Sequence, residues 1–312
     1  MVTPELTGAE PRLRPGLLTG RRRIGEDVVK GVLALCALVS VATTVGIVIA
    51  LFVPAIEFFR EISLFDFLTG KDWSPLFEPA SFGVLPLVAG TLLVTAIASL
   101  VAMPLGLGAA VYMSEYASPR ARGIIKPAFE LLAGIPTIVF GYFALTFVTP
   151  LLRDLGIPVD IFNTLSAGLV MGVMLLPTVA SLSDDAMGAV PDDLRDGAYA
   201  LGSTKVQVAT RIVVPAATSG IIASFVLAIS RAIGETMIVL VAMGQQPNLT
   251  FDPREAAETM TAFIAATGAG DVPTGSTEYK TIFAVGATLF VMTLVMNVFA
   301  IRLVRKYREV YE

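Results

Sequence analysis

Six long blocks of apolar residues alternate with polar connections along this chain of 312 residues. About 20 consecutive apolar residues are needed to cross the hydrocarbon core of a bilayer, and the blocks have roughly that length. A helix can cross lipid because it satisfies its backbone hydrogen bonds within one segment, so the pattern predicts six transmembrane helices and an all-α protein. The predicted spans are residues 32–53, 84–113, 124–149, 165–183, 221–243 and 281–304.

Prolines and small residues interrupt several of these blocks. Pro104, Pro136 and Pro177 fall inside predicted spans, and membrane helices tolerate proline when neighbouring helices satisfy the freed backbone groups. The GIPT stretch at residues 134–137 is expected to loosen the third helix locally. Small residues in the second block allow helices to approach closely; they are Gly106, Gly108, Ala109 and Ala110.

The composition supports a membrane protein and argues against several kinds of chemistry. The chain is 55% hydrophobic and 15% charged, whereas about a quarter of the residues in a soluble domain are charged. It contains no histidine, which argues against imidazole metal sites and histidine-based catalysis. Its single cysteine, Cys36, cannot form an internal disulfide. We therefore expect a protein without enzyme activity or a cofactor of its own, in contact with lipid and not with nucleic acid.

The distribution of lysine and arginine predicts the orientation of the spans. Sixteen of the 22 basic residues fall in the N-terminal tail, the second and fourth connections and the C-terminal tail. Because cytoplasmic segments are enriched in these residues, both termini are predicted to be cytoplasmic. Residues 1–27, with a run of three arginines at 21–23, are predicted to form a tail at anionic lipid, and residues 28–312 the transmembrane domain.

The polar cytoplasmic segment 192–215 is predicted to form two short helices. The first carries an apolar stripe at helical spacing, formed by Leu194, Ala198 and Leu201. Gly202 can end this helix in a left-handed turn. Ser203 or Thr204 can then cap a second helix, which Pro215 is expected to end. A rigid pair of helices of this kind suits a groove on a soluble partner.

Two charged residues fall inside the fifth predicted span. Arg231 lies near its middle, where burial of arginine costs about 2.5–3.5 kcal/mol even on the insertion scale. Glu235 follows four residues later, so on a continuous helix the two side chains share a face and can pair. One interpretation is that they only neutralise each other. We favour a translocation path in which the guanidinium contacts two oxygens of a passing oxyanion.

The carboxylate narrows the kind of anion that this path would suit. Sulfate carries no proton near neutral pH, whereas phosphate keeps at least one and can donate it to an ionised Glu235. The pair therefore favours a protonated oxyanion, although selectivity could also reside in an external binding protein.

The cytoplasmic segment resembles a motif in the membrane subunits of ABC importers, which reads E-A-A, three residues, G, nine residues, I-x-L-P. This chain has Asp196-Gly197-Ala198, Gly202 and Ile212-Val213-Val214-Pro215 at the same spacing. It departs from the motif by Glu→Asp, Ala→Gly and Leu→Val. The resemblance implies the type I importer permease fold. It also implies that these residues form the coupling helix that inserts into an ATPase subunit.

Longer stretches resemble the C-type permease of the phosphate-specific ABC importer. They are FLTGKDWSP, ELLAGIPTIVFGYFAL, AYALGSTKVQVATRIVVPAATSGI, RAIGETM, GQQPNLT and TMTAFIA, spread over about residues 68–266. The resemblance implies a bacterial inner-membrane complex with one sister permease, two ATPase subunits and an extracytoplasmic phosphate-binding protein. It also puts Arg231 and Glu235 in the substrate path. Because this chain lacks G-x-x-x-x-G-K-[ST], ATP and Mg²⁺ would bind to the ATPase partner.

Several interpretations stay open at this point. The external loop 55–82, which contains a possible interfacial helix and Trp73, could dock a partner or only follow the membrane surface. The last external loop, 245–280, with a possible short helix at 260–266, could dock the binding protein or serve in gating. Glu130 is expected to reach the surface or to pair with Lys126.

Two other classes of transporter are weighed against the phosphate permease. One is an ABC permease for another oxyanion, such as sulfate, molybdate or phosphonate. The other is an ion-coupled secondary transporter, which usually shows an internal repeat that is not evident in this sequence.

Overall fold

The computed structural model describes residues 24–306, and the chain divides into two units, residues 1–50 and 51–312. The described part of the first unit is the N-terminal portion of one long helix, α1, Ile24–Glu61. Its side chains between residues 25 and 50 are almost all exposed. Residues 1–23 of the predicted tail lie outside the described residues, and the helix begins within the last residues assigned to that tail.

The second unit contains the remaining helices and one small hairpin. After the end of α1, the elements are α2 Leu64–Thr69, β1 Trp73–Ser74, β2 Ser81–Phe82, α3 Leu85–Val111, α4 Pro119–Gly134, α5 Thr137–Phe143, α6 Thr149–Asp154, α7 Thr164–Gly188, α8 Asp192–Ala200, α9 Lys205–Val208, α10 Val214–Ala216, α11 Thr218–Ile233, α12 Met237–Ala242, α13 Met260–Gly268 and α14 Thr277–Lys306. Single π-helical turns, Tyr112–Tyr116, Ala144–Val148 and Ala209–Val213, continue α3, α5 and α9. The two strands are antiparallel, with Trp73 opposite Phe82.

Within the described residues, four helices are long and apolar enough to cross a membrane, and two bent pairs raise the number to six. The four are Gly25–Glu61, Leu85–Tyr116, Thr164–Gly188 and Thr277–Arg302. The bent pairs are Pro119–Gly134 with Thr137–Asp154, at 90°, and Lys205–Ala216 with Thr218–Ile233, at 71°. The all-α prediction is confirmed, but the third and fifth predicted spans are not straight helices.

The break in the third span has a local cause. Pro136 has no backbone N–H and disfavours the helical conformation of the residue before it. Ile135 is accordingly extended, with ψ of 130°. The loosening expected at the GIPT stretch is therefore a complete break. Pro104 and Pro177, by contrast, lie inside α3 and α7 without ending them.

Close packing of α3 against α7 forms the centre of the second unit. A Cβ atom placed on Gly106 would lie only 2.7 Å from the side chain of Val179, so the two helices meet where the small residue allows it. Ala110 on the same helix is also buried. The prediction of a close-packing role is confirmed for these two residues but not for Gly108, whose Cβ would meet nothing within 4 Å.

A separate aromatic cluster joins loop 55–82 to α13. Trp73 is buried and packs edge-on against Phe263 of α13, with ring centroids 4.9 Å apart. Phe67 of α2 packs against both Phe58 and Trp73. Loop 55–82 is therefore an ordered part of the fold, with its own helix and hairpin.

Candidate coupling segment and translocation site

The segment 192–215 folds as two helices joined at a glycine, as predicted. Gly202 has φ of +82°, a left-handed conformation that favours glycine, and its N–H donates to the carbonyl of Tyr199 at 2.9 Å. Thr204 caps the second helix: its hydroxyl accepts from the N–H of Gln207 at 3.4 Å, and the Gln207 side chain accepts from the Thr204 N–H at 2.8 Å. The structure thus assigns the cap to Thr204 rather than Ser203.

The prediction that Pro215 ends the second helix is wrong. The helix continues through the π-turn Ala209–Val213 and through α10, and the bend of 71° comes only at Ala217. Pro215 lies two residues before that bend, near the end of the helix.

The apolar stripe of the first helix does not act as one surface. Ala198 is 8% exposed and packs against Val208 and Val213 of its own chain. Leu201 is 89% exposed. Ala198 therefore packs the first short helix against the second, whereas Leu194 and Leu201 remain exposed. Of the remaining motif residues, Asp196, Gly197 and Pro215 are exposed, and Ile212 is half-buried.

Arg195 connects the coupling segment to the transmembrane helices. Its Nε donates to Glu115 Oε1 at 3.3 Å, and its other nitrogens donate to the carbonyls of Val190 at 2.6 Å and Met187 at 2.8 Å, and to Asp192 Oδ1 at 3.1 Å. Glu115 follows α3, and Met187 lies near the end of α7, so one guanidinium joins α8 to both helices. Sequence analysis missed this role, because Glu115 is 80 residues away along the chain.

The fifth predicted span is interrupted next to Arg231, so the prediction of one helix over residues 221–243 is wrong. Helix α11 ends at Ile233, and α12 begins only at Met237. Glu235 lies in the break, where its Oε1 accepts hydrogen bonds from the N–H groups of Met237 at 3.1 Å and Ile238 at 3.3 Å. A carboxylate stabilises the start of a helix in this way, because the first N–H groups have no partner within the helix.

The break separates the two charged groups that the sequence places four residues apart. Arg231 is exposed, and its Nη1 lies 3.4 Å from the hydroxyl of Thr178 on α7. Glu235 is 9% exposed and faces the start of α12. No ion pair joins them within residues 24–306, so the pairing that a continuous helix would allow is absent. Because they do not share a helix face, mutual neutralisation does not explain the arginine.

Helix α13 holds the break in place. The hydroxyl of Thr261 donates to the backbone carbonyl of Glu235 at 2.6 Å, and it lies 3.0 Å from the hydroxyl of Thr259. The N–H of Met260 donates to Thr91 on α3 at 3.1 Å. The short helix expected at residues 260–266 is therefore present, and it ties the interrupted span to α3.

A cavity lies between α4 and α7, and Thr178 is one of its lining residues. It has a volume of about 190 Å³, and its polar lining residues are Lys126, Glu130, Thr178, Ser181 and Asp184. Arg122 donates to Asp184 at 2.7 Å. Lys126 lies 3.7 Å from Asp185 and forms no ion pair with Glu130 in the part of the chain that the structure describes, so the pairing expected for those two residues is wrong. Glu130 is exposed, as the alternative expectation requires.

Comparison with known proteins identifies the family. Residues 102–309 match the model of the family described as "Binding-protein-dependent transport system inner membrane component". The chain is 34% identical to the "Probable ABC transporter permease protein YqgH" of Bacillus subtilis, over 94% of this chain and 96% of the relative. It is 33% identical to the "Phosphate transport system permease protein PstC" of Mesorhizobium japonicum, over 80% of this chain and 81% of the relative.

Solved structures support the same fold. The described chain resembles a protein in the crystal structure of a bacterial alginate ABC transporter in complex with an alginate-pentasaccharide-bound periplasmic protein, with a TM-score of 0.64 and 17% identity over 91% of this chain and 98% of the other. The chain therefore belongs to the family of binding-protein-dependent inner-membrane components. It is a multi-pass membrane subunit of an ABC importer, with the type I permease fold.

Proposed function

We propose that this chain is a permease subunit of an ATP-driven phosphate importer in the bacterial inner membrane. Half of the translocation path would be formed by this chain and half by a sister permease, with a phosphate-binding protein outside and two ATPase subunits in the cytoplasm. ATP and Mg²⁺ would be bound by the ATPase subunits. Both termini would be cytoplasmic, as the distribution of basic residues favours. The similarity to PstC supports phosphate as the substrate.

The observation that carries this proposal is the helix break beside Arg231. The break leaves the guanidinium exposed, with one long contact to the Thr178 hydroxyl at 3.4 Å, instead of paired with Glu235. An exposed, unpaired arginine in an apolar span is unfavourable unless it meets water, an anion or a partner charge. A guanidinium offers a fork of donors to two oxygens of a tetrahedral anion. Arg231 is therefore proposed to bind phosphate during its passage.

Glu235 would contribute selectivity from within the break. Two backbone N–H groups donate to its Oε1, whereas no described residue donates to its Oε2. That second oxygen can accept a hydrogen bond from the proton that phosphate carries and sulfate lacks. We therefore assign Glu235 the role of distinguishing a protonated oxyanion.

The segment 192–215 would couple the path to ATP hydrolysis. Its surface presents four exposed apolar side chains, Leu194, Tyr199, Leu201 and Val206, which is the kind of surface that a groove on a partner buries. Arg195 would pass the movement of α8 to α3 and α7. Asp196, Gly197, Ala198, Gly202, Ile212 and Pro215 are proposed to keep the two helices in this arrangement.

Uptake of labelled phosphate tests the proposal, in cells that lack this chain and are complemented with variants. Wild type should restore uptake, and Arg231→Gln should abolish it at equal expression. Arg231→Lys should restore only part of it, since an ammonium keeps the charge but loses the fork of donors. Arg60→Gln, which changes an exposed arginine at the end of α1, is the matched control and should transport normally. Normal uptake by Arg231→Gln would contradict the assigned role.

Selectivity is tested with the membrane complex alone. Glu235→Gln should reduce the preference for phosphate over sulfate, because the amide donates as well as accepts hydrogen bonds. An unchanged preference for phosphate over sulfate would contradict the selectivity role assigned to Glu235. If wild type restores no phosphate uptake with its partners present, transport of sulfate and molybdate should be measured next.

A further inference from the structure

A second cavity lies between loop 55–82 and loop 245–280, on the face that we propose to be external. Its volume is about 430 Å³. Its walls are mostly apolar and include Trp73, Leu76, Phe77, Pro247 and Phe263. The acidic side chains that line it are Glu258 and Asp271, and no lysine or arginine lines it within the described part of the chain.

Glu258 is the unusual member of this lining. The residue is only 5% exposed, and its carboxyl group forms no hydrogen bond or ion pair with the residues that the structure describes. Burial alone raises its pKa to about 7. A carboxyl group in apolar surroundings with no protein partner is costly unless water or a ligand meets it. The carboxyl group lies at the wall of a cavity, so a ligand in that cavity can supply the missing partner.

We propose that this cavity receives a lysine or arginine side chain of the extracytoplasmic binding protein, with its cationic group placed against Glu258. This inference rests on the proposed function, which supplies that partner. The apolar walls fit the aliphatic stem of such a side chain, while the carboxylate meets its charged end. Asp271 adds negative charge at the same cavity and favours approach of a cation.

Other occupants fit the cavity less well. An anion would meet two acidic residues and no base. A metal ion prefers several oxygen ligands, and residues 24–306 contain no group of three acidic, histidine or cysteine residues that could hold one. A cation carried on an apolar stem satisfies both features of the cavity.

The position of Glu258 connects docking to the translocation path. Glu258 comes two residues before the start of α13, and its backbone carbonyl packs against Gly90, where an added Cβ would lie only 2.3 Å away. Thr261 of α13 holds the carbonyl of Glu235 in the helix break. Docking at Glu258 would therefore act on the same short helix that supports the break beside Arg231.

The proposal makes docking dependent on pH in one direction. A cation binds the ionised form of Glu258, and the raised pKa keeps much of this group protonated below about pH 7. Lysine and arginine remain charged from pH 6 to 8. Docking should therefore strengthen as the pH rises from 6 to 8. Asp271 is the other titratable group that lines the cavity, and the pH dependence of docking should persist in Asp271→Asn because Glu258 carries it.

The experiment measures the Kd of the phosphate-loaded binding protein for the complete membrane complex in nanodiscs, at pH 6, 7 and 8. In wild type, binding should tighten with pH. Glu258→Gln should weaken binding at pH 8 by about tenfold or more and remove most of the pH dependence. Ala266→Phe should block binding by filling the cavity while Glu258 stays intact. Glu255→Gln, an exposed acid nearby in sequence, is the control and should behave as wild type.

The outcomes separate this inference from the proposed function. Docking by Glu258→Gln with the affinity and pH dependence of wild type would overturn the inference, while phosphate uptake by wild type would leave the function intact. If Glu258→Gln does not assemble, normal docking by Ala266→Phe would overturn it equally. If the wild-type complex neither docks the binding protein nor imports phosphate, the proposed function itself fails.

Discussion

Replacement of Arg195 by methionine tests whether one buried guanidinium links the coupling segment to the membrane helices. Methionine keeps much of the apolar stem and removes the charge and every donor. The Arg195 side chain is 15% exposed and that of Glu115 is 4% exposed, so the substitution leaves a buried carboxylate without its partner. The carbonyls of Met187 and Val190 lose their donor as well.

The size of the effect follows from these contacts. Removal of one partner of a buried ion pair costs about 3–5 kcal/mol. The contact with Asp192, whose side chain is 88% exposed, adds at most about 1 kcal/mol. Arg195→Met should therefore destabilise the subunit by about 3–5 kcal/mol. The double variant with Glu115→Gln should recover about half of that loss, because the uncompensated charge is gone.

Two assays follow this perturbation. Unfolding of the purified subunit in a double-mutant cycle gives the interaction energy between Arg195 and Glu115. Reconstituted complexes give the phosphate imported for each ATP hydrolysed, and this ratio should fall in Arg195→Met because α8 is no longer tied to α3 and α7. Arg120→Met, at an exposed arginine, is the control. A loss of stability below about 0.5 kcal/mol together with a normal transport ratio would refute the reasoning.

Three further predictions concern single positions. Gly202→Ala should destabilise the subunit by about 1–2 kcal/mol, because Gly202 has φ of +82°. Gly197→Ala, in the open interior of α8, should instead stabilise it by about 0.5–1 kcal/mol. Thermal unfolding of the two variants checks that one is destabilised and the other stabilised. Gly106→Ala should lower the stability of the subunit by about 1–3 kcal/mol, because its Cβ would lie 2.7 Å from a valine of α7. Gly108→Ala, whose Cβ would meet nothing within 4 Å, should not lower it. A similar loss of stability in both variants would contradict the close packing of α3 against α7. Burial raises the pKa of Glu258 to about 7 in the folded state, against an ordinary value of 4.5. The contribution of this group to stability is therefore complete below about pH 4.5 and is lost as the pH rises through 7. Thermal melting from pH 5 to 8 should show a loss of at most about 3 kcal/mol in wild type and none in Glu258→Gln.

The long apolar blocks made the fold class accessible from sequence, because lipid leaves few alternatives to a helix. The spans around residues 32–53, 84–113, 165–183 and 281–304 each correspond to one continuous helix. Turns and helix caps could also be predicted from the sequence, because they depend on residues that are neighbours along the chain. Gly202 forms the predicted turn, and Thr204 caps the helix after it, because both effects involve residues only a few positions apart.

The breaks in the third and fifth spans were less accessible. Pro136 gave a local signal, and the span does break there. The interruption at Gly234 gave no sequence signal that outweighed the apolar run around it. The break is stabilised by Thr261 on a distant helix and by the carboxylate of Glu235 at the start of α12. A helical pairing of Arg231 with Glu235 followed from spacing alone, and it fails once the helix ends between them.

The sequence by itself determined most of the membrane-spanning helices, the two-helix segment 192–215 and the membership of an ABC importer family, because apolar length, glycine spacing and motif order are all properties of one stretch of chain. Only the tertiary structure decided that Arg231 has no ion-pair partner among residues 24–306 and that Glu258 is buried at a cavity wall. It also decided that Arg195 joins α8 to α3 through Glu115 and to α7 through the carbonyl of Met187. These features depend on residues that are far apart along the chain and meet only when the helices pack.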